Sequence, residues 1–155
     1  MKLAGFDIGG TKCAVILGEE TANGFDFLSR IEFKTEGSPE TVIEKLVGLL
    51  HEEMRLHGCT AEDLKSVGIS CGGPLNSKAG MILSPPNLLG WDNVPIVKLV
   101  QDALGVPTFL CNDADACALA EWTYGAGKGY EDMIFLTFGT GLGAGLILNG
   151  ALYTG

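Results

Sequence analysis

The sequence has no apolar run approaching the roughly 18 residues that a membrane-crossing helix needs, because Gly, Thr or a charge interrupts each one. It has no run of basic residues and no segment patterned as a helix-turn-helix. Ten Lys and Arg stand against 19 Asp and Glu, a net charge of −9 that suits phosphate-backbone contacts poorly and sets nucleic acid aside as a partner. No CxxC pair occurs among Cys13, Cys59, Cys71, Cys111 and Cys117. Their odd number and wide spacing suit reduced thiols and argue against a metal site built only from them. The start, MKLAGFDIGGTK, offers one Lys, a short apolar run and an early Asp7, unlike a signal peptide. The expectation is a cytoplasmic protein with no membrane partner. The G-x-x-x-x-G-K-[ST] pattern of a P-loop is also absent.

What is present is enough apolar residue, 46% against 19% charged, to build a packed core in a chain of 155 residues. Residues 2–8 and 13–18 read as strands around the turn GGT, and 25–34 as a third strand. Phe25, Phe27, Ile31 and Phe33 alternate imperfectly there, which suggests a bulge. Ser38 is placed to cap a helix with Pro39 in its first turn and Gly58 at its end. Val42, Ile43, Leu46, Leu49, Leu50 and Met54 recur along it at helical spacing. Residues 65–71 form a short strand running into GGP, and 76–94, rich in Pro, Gly and Asn, read mainly as loop. A second helix spans 95–104, a strand 107–111, and a third helix, capped by Asn112 or Asp113, runs to about Tyr124. Two more strands, 132–138 and 144–149, surround a second Gly-rich turn.

The order is βββαβαβα and then ββ, an α/β domain with a mixed β-sheet flanked by helices. The closing pair repeats the opening hairpin, as if a second, similar domain were beginning. The expected division is therefore 1–125 for the first domain and 126–155 for a linker and the first strands of the next.

Two turns carry the chemistry. FGTGLGA formally matches G-x-G-x-x-A, but GLILNG follows it where a dinucleotide site needs a helix. DIGGTK is likewise followed by CAVIL. The alternative is a hairpin cradle, in which glycines bring backbone N–H groups up to phosphate oxygens and a Thr hydroxyl adds a bond. Asp7, Gly9, Gly10, Thr11 and Lys12 supply one such set, with Asp7 able to hold Mg²⁺ through water. Gly139, Thr140, Gly141 and Gly143 supply the other. Taken singly, either turn reads as an ordinary tight hairpin. Two of them, one led by Asp, shift the balance to phosphate binding.

DIGGTK, SPPNLLGWDNVPI, CNDADACALAEWTYGAG and FGTGLGAGLILNG, in that order, resemble the motifs of the ROK family of repressors, open reading frames and kinases. The turns alone resemble the phosphate motifs of the wider actin, chaperone and sugar-kinase superfamily. The resemblance implies a ribonuclease H-like/actin-like ATPase fold with two α/β domains around a cleft. It also implies transfer of the γ-phosphate of ATP to a hexose or amino-sugar hydroxyl, usually O6, with Mg²⁺. By matching, Asp113 is implied as catalytic base, with Asn112, Asn87 and the backbone at Gly73 against the sugar. Asp113 also reads as a helix cap, and Asn87 as a plain turn residue. Asp115 stands where the family usually has Asn. The family's zinc motif, its sugar-binding Glu and His and its adenosine segment would follow Gly155. The expectation is thus the N-terminal part of a sugar kinase with little activity alone, whose last hairpin pairs with another copy or with the rest of the protein. A ROK-type transcriptional regulator is the alternative.

Overall fold

A computed structural model describes residues 1–22, 24–139 and 141–154. The chain forms two compact units, Met1–Cys111 and Asn112–Gly155. The boundary expected after residue 125 would split off the third helix, which in the structure packs on the strands that follow it.

The first unit opens with a meander of β1 (Lys2–Ile8), β2 (Lys12–Thr21) and β3 (Gly24–Lys34). β1 and β2 pair antiparallel, with Ile8 opposite Cys13. The register of β2 and β3 shifts at Leu17/Gly18: Ser29 faces Leu17 and Phe27 faces Gly18, so Leu28 is the extra residue of a bulge. The imperfect alternation of β3 is this bulge. β4 (Leu64–Cys71) runs parallel to β1, and β7 (Thr108–Asn112) completes a five-stranded mixed sheet in the order β3-β2-β1-β4-β7.

α1 (Pro39–Leu56) begins where the sequence places it. The Ser38 hydroxyl accepts from the Thr41 N–H at 3.4 Å, and Pro39 sits in the first turn, where a missing N–H costs nothing. At the other end the N–H groups of Gly58 and Cys59 reach back to the carbonyls of Arg55 and Met54, and Gly58 has φ +62. This is a Schellman close, and it satisfies two carbonyls that the helix leaves without partners. Val42, Ile43, Leu46, Leu50 and Met54 point inward to Phe6, Ile8, Val15, Leu17, Val67 and Ile69 of the sheet. α2 (Ile96–Leu104) adds Ile96, Val100 and Leu104 to the same core and stops at Gly105, φ +69.

The stretch 76–94 is more ordered than its composition suggests. β5 (Leu75–Asn76) and β6 (Met81–Ile82) form a small hairpin, and Ile82 then exchanges two hydrogen bonds with Val94, 3.0 and 2.9 Å. Ile82, Leu88, Trp91 and Val94 are all buried, with Trp91 only 1% exposed. Each such side chain contributes about 1.5–3 kcal/mol by leaving water, so this segment is anchored along its length.

The second unit is α3 (Asp113–Tyr124) on a three-stranded antiparallel sheet, β8 (Met133–Phe138), β9 (Leu142–Leu148) and β10 (Ala151–Tyr153), in the order β10-β9-β8. Gly143 and Gly145 lie under α3: a Cβ at Gly145 would stand 2.5 Å from the Ala114 carbonyl oxygen and 2.6 Å from Ala118 Cβ. Alternation sends Ile134, Leu136, Phe138 and Leu142 to the opposite face, where they are exposed.

Candidate active site

Asp7 is the last polar residue of β1. Phe6 and Ile8 turn into the core, so Asp7 takes the other face of the sheet, between Ala14 of β2 and Ser70 of β4, and it is exposed. β1 and β4 are parallel, so the turn after Ile8 and the GGP turn after Cys71 emerge at the same edge, at the C-terminal ends of their strands. Ligands of open α/β sheets bind at such edges. The Gly73–Pro74 peptide is cis, and the Pro74 carbonyl accepts from Leu83 N–H at 2.9 Å, tying this turn to the anchored loop.

The loop also meets the first Gly-rich turn. A Cβ added at Gly10 would lie 2.2 Å from the Asn87 carbonyl oxygen and 2.8 Å from Asn87 Cβ, so glycine alone fits there. The structure thus brings together Gly9, Gly10, Thr11 and Asn87, with the Asn87 side chain exposed beside the turn. The Gly9 N–H donates to the Lys12 carbonyl at 3.1 Å and closes the turn on itself. That leaves Gly10 and Thr11 as the amides suited to an anion.

Lys12 is engaged elsewhere. Its ammonium bonds both carboxylate oxygens of Glu32 on β3, at 2.9 and 3.0 Å, and Arg30 joins the same carboxylate. Lys12 and then Arg30 hold the Glu32 carboxyl below the usual carboxylate range. The pair is at the surface, where such contacts are weak, so a phosphate could compete for Lys12.

In the second unit Asn112 caps α3 and Asp113 is the helix's first residue. Asn112 Oδ1 accepts from the Ala114 N–H at 3.0 Å, and Asp113 Oδ1 accepts from the same group at 2.9 Å. Asp113 is therefore not the cap proper; its exposed carboxylate is oriented by one backbone bond at a helix N-terminus. Asp115, one position further along than Ala114, is half-buried, and burial followed by the Asp113 charge pushes its carboxyl up.

At the second Gly-rich turn the Gly139 N–H donates to the Gly141 carbonyl at 2.9 Å. A Cβ on either glycine would meet nothing within 4 Å among the described residues. Among those residues nothing crowds a side chain there, which suits a backbone kept bare for a ligand. Gly143 differs: its place is under α3, with Thr137 Cγ2 and Ala114 Cβ within 3.3 Å of an added Cβ. Thr140 lies outside the described residues.

Mg²⁺ takes oxygen ligands and keeps several waters, using one or two carboxylates with substrate phosphates. A single exposed Asp7 beside a phosphate cradle fits that pattern. No group of three His, Cys, Asp or Glu among the described residues could hold an ion unaided. The cysteines form no disulfide; Cys13, Cys59 and Cys71 are buried, and burial pushes the Cys13 and Cys59 thiols up. No helix among the described residues is long and apolar enough to cross a membrane.

Two residues at the site were not singled out from the sequence. Glu32 occupies Lys12, and Thr35, just past β3, bonds the first turn. Neither belongs to a Gly-rich motif, and only the β2–β3 register places them.

A five-stranded mixed sheet with flanking helices, followed by a second Gly-turn hairpin, defines the actin-like ATPase class of fold. The profile of the ROK family matches residues 3–155, and the chain belongs to that family. Glucokinase from Thermotoga maritima is 34% identical over 155 residues, which is all of this chain and 47% of that enzyme. A xylose repressor from Caldicellulosiruptor bescii is 29% identical over 153 residues, 99% of this chain and 38% of the repressor. Among solved structures, the ROK hexokinase from Thermus thermophilus superposes with a TM-score of 0.85 at 35% identity, covering all of this chain and 49% of that one. The Streptomyces griseus ROK glucokinase in complex with glucose and AMPPNP gives 0.80 at 32%, covering 100% and 47%. The chain spans about half the length of the curated relatives it matches.

Proposed function

We propose that the protein carrying this chain transfers the γ-phosphoryl group of ATP to a hydroxyl, O6, of a hexose or N-acylated amino sugar. The position of Asp113 carries the reading. One carboxylate oxygen is steadied by the Ala114 N–H, and the group stands exposed at the start of a helix. A carboxylate so placed accepts the proton of the attacking sugar hydroxyl as the new oxygen–phosphorus bond forms and the bond from the γ-phosphorus to the bridging oxygen breaks, releasing ADP. Positioning supplies most of the rate in phosphoryl transfer, so no unusual basicity is required. Asn112, Asn87 and the backbone at Gly73 contact the sugar. Gly10 and Thr11 of one turn, and Gly139, Thr140 and Gly141 of the other, present backbone and hydroxyl donors to the phosphates. Asp7 would hold Mg²⁺ through water, and the ion would supply positive charge beside the phosphates. Gly9 and Gly143 serve the backbone shape around these donors, and Lys12 joins once released by Glu32.

Support comes from the glucokinases and hexokinase among the relatives, and from the AMPPNP and glucose in one of them. A coupled ADP-release assay over a sugar panel tests the reading in the full product of the gene. Asp113→Asn is expected to lower kcat about 10²–10⁴-fold with KM little changed; retention of most of kcat removes Asp113 from the base role. The 155-residue chain alone is expected to show almost no turnover, since it spans half of its relatives. Ordinary turnover by the chain alone overturns that part.

The similarity to the xylose repressor favours a second reading, a sugar-responsive regulator without catalysis. Sugar binding with no ADP release by the full product would establish it. In either case we place the protein in the cytoplasm and expect self-association or a partner segment at the exposed face of β8 and β9. The zinc site implied by the family has no counterpart among the described residues.

A further inference from the structure

We propose that Thr35, which lies outside both Gly-rich motifs, is a positioning residue that sets the shape of the first phosphate turn; this rests on the reading of that turn as a nucleotide site. Thr35 follows the last residue of β3 and is half-buried. It makes two contacts with the turn and one with Cys13 just beyond it. Its hydroxyl donates to the Gly9 carbonyl at 2.6 Å, its N–H donates to the Thr11 carbonyl at 3.1 Å, and Cys13 Sγ lies 3.3 Å from its Oγ1. A threonine hydroxyl has one proton, and Gly9 takes it. The Cys13 thiol must therefore be the donor to Oγ1. A directed chain results: Cys13 S–H to Thr35 O–H to Gly9 C=O.

The consequence follows from peptide geometry. In a planar trans peptide the carbonyl and the following N–H point in opposite directions. Fixing the Gly9 carbonyl toward Thr35 turns the Gly10 N–H away from it, outward from the turn. At its α-carbon Gly10 has no room for a side chain, because an added Cβ would lie 2.2 Å from the Asn87 carbonyl oxygen. Thr35 and Asn87 thus constrain neighbouring glycines of one turn, Thr35 through the Gly9 carbonyl and Asn87 against Gly10. The buried thiol keeps its proton at neutral pH, as the donor role requires. Serine at 35 retains the hydroxyl; valine has the same shape without it.

The test compares Thr35→Val, Thr35→Ser and Cys13→Ala in the 155-residue chain by amide NMR, and in the full gene product by calorimetric titration with Mg–AMPPNP. Thr35→Val is expected to move the Gly10 and Thr11 amide resonances and speed their hydrogen exchange. It should weaken nucleotide binding about tenfold, as expected for leaving the Gly9 carbonyl without its donor. Thr35→Ser should stay within about twofold of the parent, and Cys13→Ala should displace the same amides by less. Sugar affinity should not change. Equal losses in the valine and serine variants, or unmoved Gly10 and Thr11 amides in Thr35→Val, overturn the proposal. If Thr35→Val does not fold, unmoved amides in Cys13→Ala overturn it instead. If the parent binds no nucleotide, the kinase reading falls, while the amide shifts still decide what Thr35 does.

Discussion

The two Gly-rich hairpins look alike in sequence but owe their glycines to different neighbours. In the first, Ile8 pairs with Cys13 and four residues close the turn; in the second, Phe138 pairs with Leu142 across three. Glycine at 9 and 10 is dictated from inside the chain, by the carbonyls of Lys12 and Asn87. Glycine at 139 and 141 has no such neighbour among the described residues, while glycine at 143 and 145 makes room for α3. A similar string of letters therefore encodes three physical demands: a close loop, a bare surface and a helix seat. Only the bare surface calls on the proposed nucleotide, which lies outside the protein.

Alanine substitutions separate these demands. The largest effect is expected at Gly10→Ala. Its Cβ would overlap the Asn87 carbonyl, and the anchored loop cannot yield cheaply, so urea denaturation should show a loss of about 2–4 kcal/mol. Gly145→Ala should cost about 1–3 kcal/mol, since α3 would have to lift from β9. Gly141→Ala should leave stability within about 0.5 kcal/mol while weakening Mg–AMPPNP binding by titration. If Gly141→Ala destabilises as much as Gly10→Ala, the distinction between the hairpins is lost.

The smallest effect concerns the first turn of α3. The Asp115 carboxyl is raised in the native state by burial and by Asp113. Just above the ordinary carboxylate range the native protein still holds a proton that the unfolded chain has released, so stability falls as pH rises through the raised native value. Asp115→Asn removes that loss. Its Tm advantage should be absent at acid pH and present at neutral pH, and partial exposure keeps it within about 0.5 kcal/mol. An advantage that grows toward acid pH would reverse the sign and refute the account.

Much of this was legible beforehand, and for identifiable reasons. Ser38, Pro39 and Gly58 bound α1 because capping is local chemistry, readable within four residues. The bulge of β3 was visible because alternation fails at one place. The loop core was not: Ile82, Leu88, Trp91 and Val94 are spaced irregularly, and neither a helical nor a strand period gathers them. The placing of α3 with the second sheet was hidden too, since its seat is made by Gly143, which the motif claims for phosphate, and by Gly145, which belongs to no assigned site. β10 passed unnoticed because three residues, Ala151–Tyr153, are too few to show a period. Of the site residues, those in motifs were legible as types. Their surroundings, Glu32 on Lys12 and Thr35 on Gly9, depend on strand register.

The sequence contains two tryptophans, and one falls in each compact unit. Trp91 is sealed beneath the Asn87 loop, whereas half-buried Trp122 donates its indole N–H to the Tyr130 carbonyl at 2.7 Å. The molecule thus carries its own pair of optical reporters. Blue-edge emission follows the first unit and red-edge emission the second, so a single unlabelled sample can report whether the two lose their structure at one temperature or at two.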